Sequence, residues 1–250
     1  MSEYLMRDAA PLSDKEWQAV DSLVVKVARD FLVGRRFLDL VGPFGAGMEM
    51  VPVGVGESRK HIALAAIERS FTLHWRDVEA SRKLGVPVEL GAAAQAAMAC
   101  ARMEDDMVLR GLWDAAEKSV SVADWGKAEG PLQSVVAATE LLFEDGFFGP
   151  YALVMSPDLY TQTQRVSHGM GRMVSKLIAD IAEGGMFRSQ LLGEAQGLVL
   201  ALGAFNFDLV VGQDLITAYE GNEGLDHNFR ILETIALRVK RAGAICKLEG

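Results

Sequence analysis

Behind Ser13-Asp-Lys-Glu16, apolar residues recur at Trp17, Val20, Leu23 or Val24, Val27, Phe31 and Leu32. That spacing predicts an amphipathic helix of about twenty residues. Pro11 and the Ser13…Glu16 pair supply its N-terminal cap, and Gly34 is expected to end it. Phe37-Leu-Asp-Leu-Val41 reads as a strand stopped by Gly42-Pro43. The stretch from Gly45 to Lys60 is loop-like, with Met50-Val-Pro-Val53 as a short extended hairpin within it.

Phe71-Thr-Leu-His-Trp75 is a second strand, followed by Val78 to Lys83 and a break at Gly85-Val-Pro87. Leu90 to Leu109 is Ala-rich and free of proline. It reads as a long helix whose small face permits close packing, with Gly111 as its expected stop. Asp114 to Gly130 is polar and weakly patterned. Leu132 to Phe143, Leu159 to Val166 and Met173 to Ala182 read as helices, and Tyr151-Ala-Leu-Val-Met155 as a buried strand. Further strands fall near Gly197–Leu202, Asp208–Gly212, Ile216–Glu220 and Phe229–Lys240.

Helices and strands are interleaved without the strict alternation of a doubly wound sheet, so the class is α+β. The early helix and the long final strand are expected to share one subdomain, with 115–215 forming another. No repeat, low-complexity tract or linker interrupts the chain.

Half of the 250 residues are hydrophobic, and the mean hydropathy is +0.16. Apolar area beyond the needs of one core goes into interfaces, which points to an obligate oligomer. The formal charge of -9 argues against nucleic acid or an anionic membrane surface as the main partner. The first residues, MSEYLMRDAAPLSDKEW, carry acids and no apolar run of signal-peptide length. No apolar run approaches the roughly 20 residues that span a bilayer. Cys100 and Cys246 make no disulfide framework, and Cys100 is expected as a buried free thiol. The expected location is cytoplasmic.

Chemistry is sparse. His61, His74, His168 and His227 are scattered, and the four-residue spacings Glu57…His61 and Glu223…His227 fall near glycines, where that spacing carries little meaning. No metal site is expected. There is no Gly-x-Ser-x-Gly elbow and no Walker loop, and Gly42, Gly45, Gly47, Gly54 and Gly56 do not form a dinucleotide fingerprint. Glu104, Asp105 and Asp106 are a tight carboxylate cluster, expected as a charge network at a helix end. The missing catalytic set favours a structural or assembly role.

Several segments, in collinear order, resemble the family-1 (linocin-like) encapsulins. They are Ala10-Pro-Leu-Ser-Asp-Lys-Glu-Trp17, Val33-Gly-Arg-Arg-Phe-Leu-Asp39, Gly42-Pro-Phe-Gly45 and Phe71-Thr-Leu-His-Trp-Arg-Asp-Val-Glu79. The Glu104-Asp-Asp106 helix, Gly149-Pro-Tyr-Ala-Leu-Val-Met155, Gln213-Asp-Leu215 with Tyr219, and Ala244-Ile-Cys-Lys-Leu248 continue the match. The resemblance implies the Hong Kong 97 phage capsid fold and an icosahedral shell of identical subunits. It divides the chain into 1–42 (first helix and strand of a peripheral domain), 43–70 (an extended loop, here shortened), 71–114 (peripheral domain with a spine helix), 115–215 (axial domain) and 216–250 (return strands of the peripheral domain).

The resemblance also implies a cargo enzyme, a ferritin-like iron-storage protein or a dye-decolorising peroxidase, held inside by its C-terminal peptide. The positions matching the docking site are Phe31, Arg35 and Asp39, with Leu215 and Ile216 on a strand. Glu183, Gly184, Gly185, Met186 and Phe187 match the lining of the fivefold pore. Some relatives resemble flavin binders through a tryptophan near the Phe71 strand. Trp75 lies close to it in a displaced register, and no other cofactor is implied. A prophage capsid protein and a bacteriocin- or hydrolase-like factor are the alternatives.

Overall fold

Ser13 closes a capping box with Glu16. The Ser13 N–H donates to Glu16 Oε2 at 2.7 Å, and the Glu16 N–H donates back to Ser13 Oγ at 3.4 Å. From it runs α1 (Asp14–Phe31), which buries Trp17, Val20, Val24 and Ala28 along one stripe. The structure is a computed structural model and describes residues 3–54, 56, 59–127, 129–167 and 171–250. Glu57 and His168, weighed above as ligand candidates, lie outside the described residues.

The helix stops at Phe31 with Leu32 extended, and Gly34 opens a separate 3-10 turn, Gly34–Arg36. That glycine has a packing role. A Cβ there would sit 3.2 Å from both Asp105 Oδ1 and Val108 Cγ1. The expected strand over 37–41 shrinks to β1 (Leu40–Val41), because Phe37 and Leu38 are buried as core residues of the turn.

Met50–Val53 is one strand of a hairpin larger than expected: β2 (Met50–Val53) pairs antiparallel with β3 (Lys60–Ala63), which begins only where the expected loop ends. Next come β4 (Ala65–Leu73), α2 (Trp75–Leu84) and α3 (Gly91–Ala115). Gly111 does not end α3. A Cβ there would lie 2.7 Å from Leu237 Cδ2, so the glycine marks where the helix packs closest to the sheet. Leu237 Cδ2 is the far end of a flexible side chain, so Gly111→Ala should be close to neutral, helix propensity offsetting the contact. Gly111→Leu overpacks the contact and is expected to cost about 1–3 kcal/mol by thermal or denaturant unfolding.

The remaining strands divide between two five-stranded sheets. In the first, β9 (Phe207–Val211) and β10 (Ile216–Glu223) pair along one flank of β11 (Asp226–Val239), and β4 pairs along the other. β1 adds to β9 in parallel. The second sheet has the order β5 (Lys118–Ser121), β12 (Ile245–Glu249), β8 (Gln196–Ala201), β6 (Tyr151–Met155), β7 (Gly185–Arg188). It carries α4 (Gly130–Glu144), α5 (Pro157–Thr163) and α6 (Val174–Ala179). α1 packs on α3, α3 packs on β4 and β11, and α3 also touches β12, so one continuous core joins both sheets.

The expected domain boundaries need correction here. The long strand β11 lies in the first sheet with β1, but β12, assigned above with it to 216–250, pairs with β5 and β8 of the second. β9, placed above in the 115–215 unit, belongs to the first sheet, and β4 begins within the stretch assigned to the loop. The chain crosses between the sheets three times, through α2 and α3, at 202–206 and at 240–244. Four strands escaped the pattern reading: β3, which starts where the expected loop ends, β7, which lies in the segment matched to the pore, and β5 and β12. β5 is a half-exposed edge in a polar stretch, and β12 is five residues long. Among the described residues no helix is long and apolar enough to cross a membrane.

Candidate functional site

The strongest polar constellation is internal. Glu104, on α3, and Glu233, on β11, are fully buried and face the guanidinium of Arg35 from the 3-10 turn. Arg35 Nε and Nη2 donate to Glu104 Oε1 and Oε2 at 2.7 and 2.8 Å, and Nη2 also donates to Glu233 Oε2 at 2.6 Å. Nη1 reaches the more exposed Asp214 Oδ1 at 2.8 Å. Burial works against the Arg35 charge, but its hydrogen bonds to Glu104 and Asp214 and the fields of Glu104 and Glu233 outweigh it and raise its pKa. Burial and the neighbouring Glu104 push the Glu233 carboxyl up to about 9, so it keeps its proton at neutral pH. Glu233 Oε1 has no hydrogen-bond partner.

Asp105, one residue along α3, accepts the Val33 and Gly34 N–H groups at 2.8 Å each and ties the turn to the spine. Burial pushes its carboxyl up to about 6 against those two donors. The carboxylate cluster is therefore not a helix-end network. It sits in the middle of α3, with Glu104 and Asp105 turned inward and Asp106 paired outward with Arg110 at 2.8 Å.

Two grooves flank the end of α1. The first, about 380 Å³, has an apolar floor of Val25, Ala28, Leu32, Leu40 and Leu215. Arg29, Arg35, Arg36 and Asp214 give it a mixed charged rim. The second, about 600 Å³, is lined by Phe31, Met98 and Leu191 with Arg36, Arg102 and Arg188. Of the sequence-derived docking residues, Arg35 and Leu215 line the first groove, and Phe31, 54% exposed, lines the second. Asp39 and Ile216 line neither. Asp39 is exposed, and its carbonyl accepts the Leu209 N–H at 3.0 Å.

Sequence reasoning missed Glu233, although its signal was present. It occupies the inward register of β11 between the buried Phe229, Ile231 and Ile235. A carboxylate on the core face of a strand requires a partner.

The segment matched to the pore is not a free loop. Glu183 and Gly184 form a turn, Gly185 to Phe187 run in β7 beside β6, and Phe187 packs on Phe37 with ring centroids 5.5 Å apart. Trp75 heads α2 and offers a stacking face at the surface, outside both grooves, with the Arg76 guanidinium 5.5 Å from its ring centroid. The Trp75 N–H donates to Asp226 Oδ1 at 3.1 Å, and His74 Nδ1 lies 3.0 Å from Asp226 Oδ2. Cys100 is buried as expected, and burial pushes its thiol up to about 12. Among the described residues no three His, Cys, Asp or Glu side chains converge as metal ligands.

Two packed sheets crossed by one long helix are shared with solved shells. The virus-like particle from Pyrococcus furiosus has a TM-score of 0.82 and 20% identity, covering 93% of this chain and 99% of that one. The capsid of Myoviridae phage XM1 has a TM-score of 0.59 and 9% identity, covering 86% and 90%. The molecule has the Hong Kong 97 fold.

In sequence, residues 1–236 match the family Linocin_M18, described as an encapsulating protein for peroxidase. The type 1 encapsulin shell protein EncA of Myxococcus xanthus is 38% identical over 280 aligned positions, which cover 100% of this chain and 98% of that protein. The chain belongs to the encapsulin shell family.

Proposed function

We propose that copies of this chain close into an icosahedral cytoplasmic compartment. A cargo enzyme, a peroxidase or a ferritin-like iron-storage protein, is held on the inner wall by its C-terminal peptide in the first groove. The observation that carries the docking reading is that groove's chemistry: an aliphatic floor with charges of both signs at its rim. Such a trough takes an extended peptide with leucine or isoleucine anchors, the side chains filling the floor and the rim fixing direction. The subunit is a container without turnover of its own. In support, two deeply buried carboxyl groups, Glu104 and Glu233, are closed off from solvent and tied to Arg35.

Val25 and Leu40 line the groove but are 44% and 48% exposed, so charged substitutions there spare the core. Val25→Asp and Leu40→Asp are expected to leave particles intact while lowering the cargo that co-purifies by about tenfold, on the order of 1.4 kcal/mol of docking energy. Protein mass spectrometry of particle contents measures this. Unchanged loading in both variants moves the docking site elsewhere. Phe31→Ala and Asp39→Ala, made in parallel, read out positions outside the first groove.

The same reading assigns the shell's opening to Glu183, Gly184, Gly185 and Met186. The exposure of Glu183 supports this, whereas Phe187 is engaged with Phe37.

A further inference from the structure

We propose that Phe143, Phe148 and Phe205 together anchor a contact between this subunit and a second copy of the chain. The inference rests on the shell reading and adds the surface through which the copies meet.

The three residues come from separate segments that the second sheet brings to one end. β6 begins at Tyr151, opposite Ala201 at the end of β8, so the loops on either side leave the sheet together. The Leu202 N–H donates to the Pro150 carbonyl at 2.8 Å and fixes that pairing. Phe148 lies in the first loop and Phe205 in the second, and α4 delivers Phe143 one residue before it ends. The Phe143 and Phe148 rings meet edge to face, with centroids 5.0 Å apart. Yet they are 59% and 69% exposed, and Phe205 is 64% exposed.

Phe147 shows that this exposure is not simple crowding at a loop. It turns inward, is 8% exposed, and has the Arg241 guanidinium 4.3 Å from its ring centroid. The adjacent pair thus splits, one ring serving the subunit's own core and the other facing outward. Three outward phenylalanines at one sheet end are what the centre of an interface uses, since aromatic anchors dominate such contacts.

The occupant follows from the family. A shell subunit meets neighbours of its own kind on several sides, each standard contact taking roughly 800 Å² per partner. The groove assigned to cargo shares no residue with this patch. The patch also lies where the chain passes from one sheet to the other, at 202–206 and 240–244. A neighbour seated there would hold the two sheets of the subunit in one relative orientation.

The test uses the full chain and follows assembly by size-exclusion chromatography with light scattering, and fold by circular dichroism. Phe148→Asp combined with Phe205→Asp is expected to keep the wild-type far-ultraviolet spectrum and to reduce the fraction of subunits in shells by at least about tenfold at a concentration where the parent is assembled. If that double variant loses its spectrum, the pair Phe148→Leu and Phe148→Ser is read instead. The leucine form is expected to assemble like the parent, and the serine form to disassemble at lower denaturant. Full shells with the parent's disassembly midpoint would overturn the proposal. So would intact shells that have lost their cargo, because the patch would then face the contents. A parent chain that forms no shells contradicts the shell reading itself, separately from the patch.

Discussion

Arg35→Ala is expected to prevent accumulation of a stable subunit, not merely to empty the shell. Its guanidinium is the counter-ion to Glu104, which is 0% exposed, donates a hydrogen bond to the equally buried acid Glu233, and reaches Asp214 as well. Removing one partner from a buried ionic group leaves uncompensated charge in the core, at a cost of about 3–5 kcal/mol. Against a total stability of about 5–15 kcal/mol, that is a large fraction.

Arg35→Lys should recover little, because an ammonium cannot reproduce the forked contacts to Glu104 while also meeting Glu233. Converting the whole cluster to apolar residues, Arg35→Met with Glu104→Met and Glu233→Leu, should restore most of the loss. Thermal unfolding and soluble yield measure each variant. An Arg35→Ala protein with the parent's melting temperature and reduced cargo would instead make Arg35 a docking residue, as the family resemblance implies, and not a brace.

The second large effect is a pH dependence centred on Glu233. In the fold its carboxyl is pushed up to about 9, first by burial and then by the charge of Glu104. In the unfolded chain it titrates near the ordinary glutamate value of about 4.3. The folded state therefore binds more protons than the unfolded state between those values, and stability falls as pH rises across that window. The contribution is fully present below the lower value and is lost as pH rises through about 9. Above that, two buried carboxylates compete for one guanidinium.

Glu233→Gln keeps the shape and the neutral state of the protonated acid. It is expected to unfold at a higher temperature than the parent above neutral pH, with the advantage growing towards pH 9 and vanishing in acid. Melting curves for both proteins at a series of pH values test this. Parallel curves at all pH values would show that Glu233 is not a proton-holding site.

How much of this was legible in sequence depended on whether local pattern or tertiary contact decided the outcome. α1 was legible from its cap and apolar stripe, because both are local. β6 was legible because four consecutive fully buried residues, Ala152 to Met155, leave no other reading of a short apolar run. Gly34 and Gly111 misled, since a glycine looks the same in sequence whether it ends a helix or admits a neighbour. Only the contacts to Asp105 and Leu237 tell the two apart. β5 and β12 were hidden because each is short and is defined by its partner strand.

At the candidate site, three of the docking residues implied by resemblance, Phe31, Arg35 and Leu215, line the two grooves at the end of α1, and Asp39 and Ile216 line neither. Resemblance could not divide them between two grooves, nor show that Arg35 spends its donors on Glu104 and Glu233. Those facts depend on side chains from three elements far apart in the chain. The outward ring of Phe148 beside the inward Phe147 was equally invisible, because adjacent identical residues carry no directional signal outside a regular element.

The most direct test of the whole account is the mass and image of the particle isolated from its native cell, by native mass spectrometry and electron microscopy. The expected result is a closed hollow shell, built from an icosahedral multiple of the 27.1 kDa chain, with a second protein inside. A solitary 27.1 kDa species carrying out a reaction of its own would contradict it.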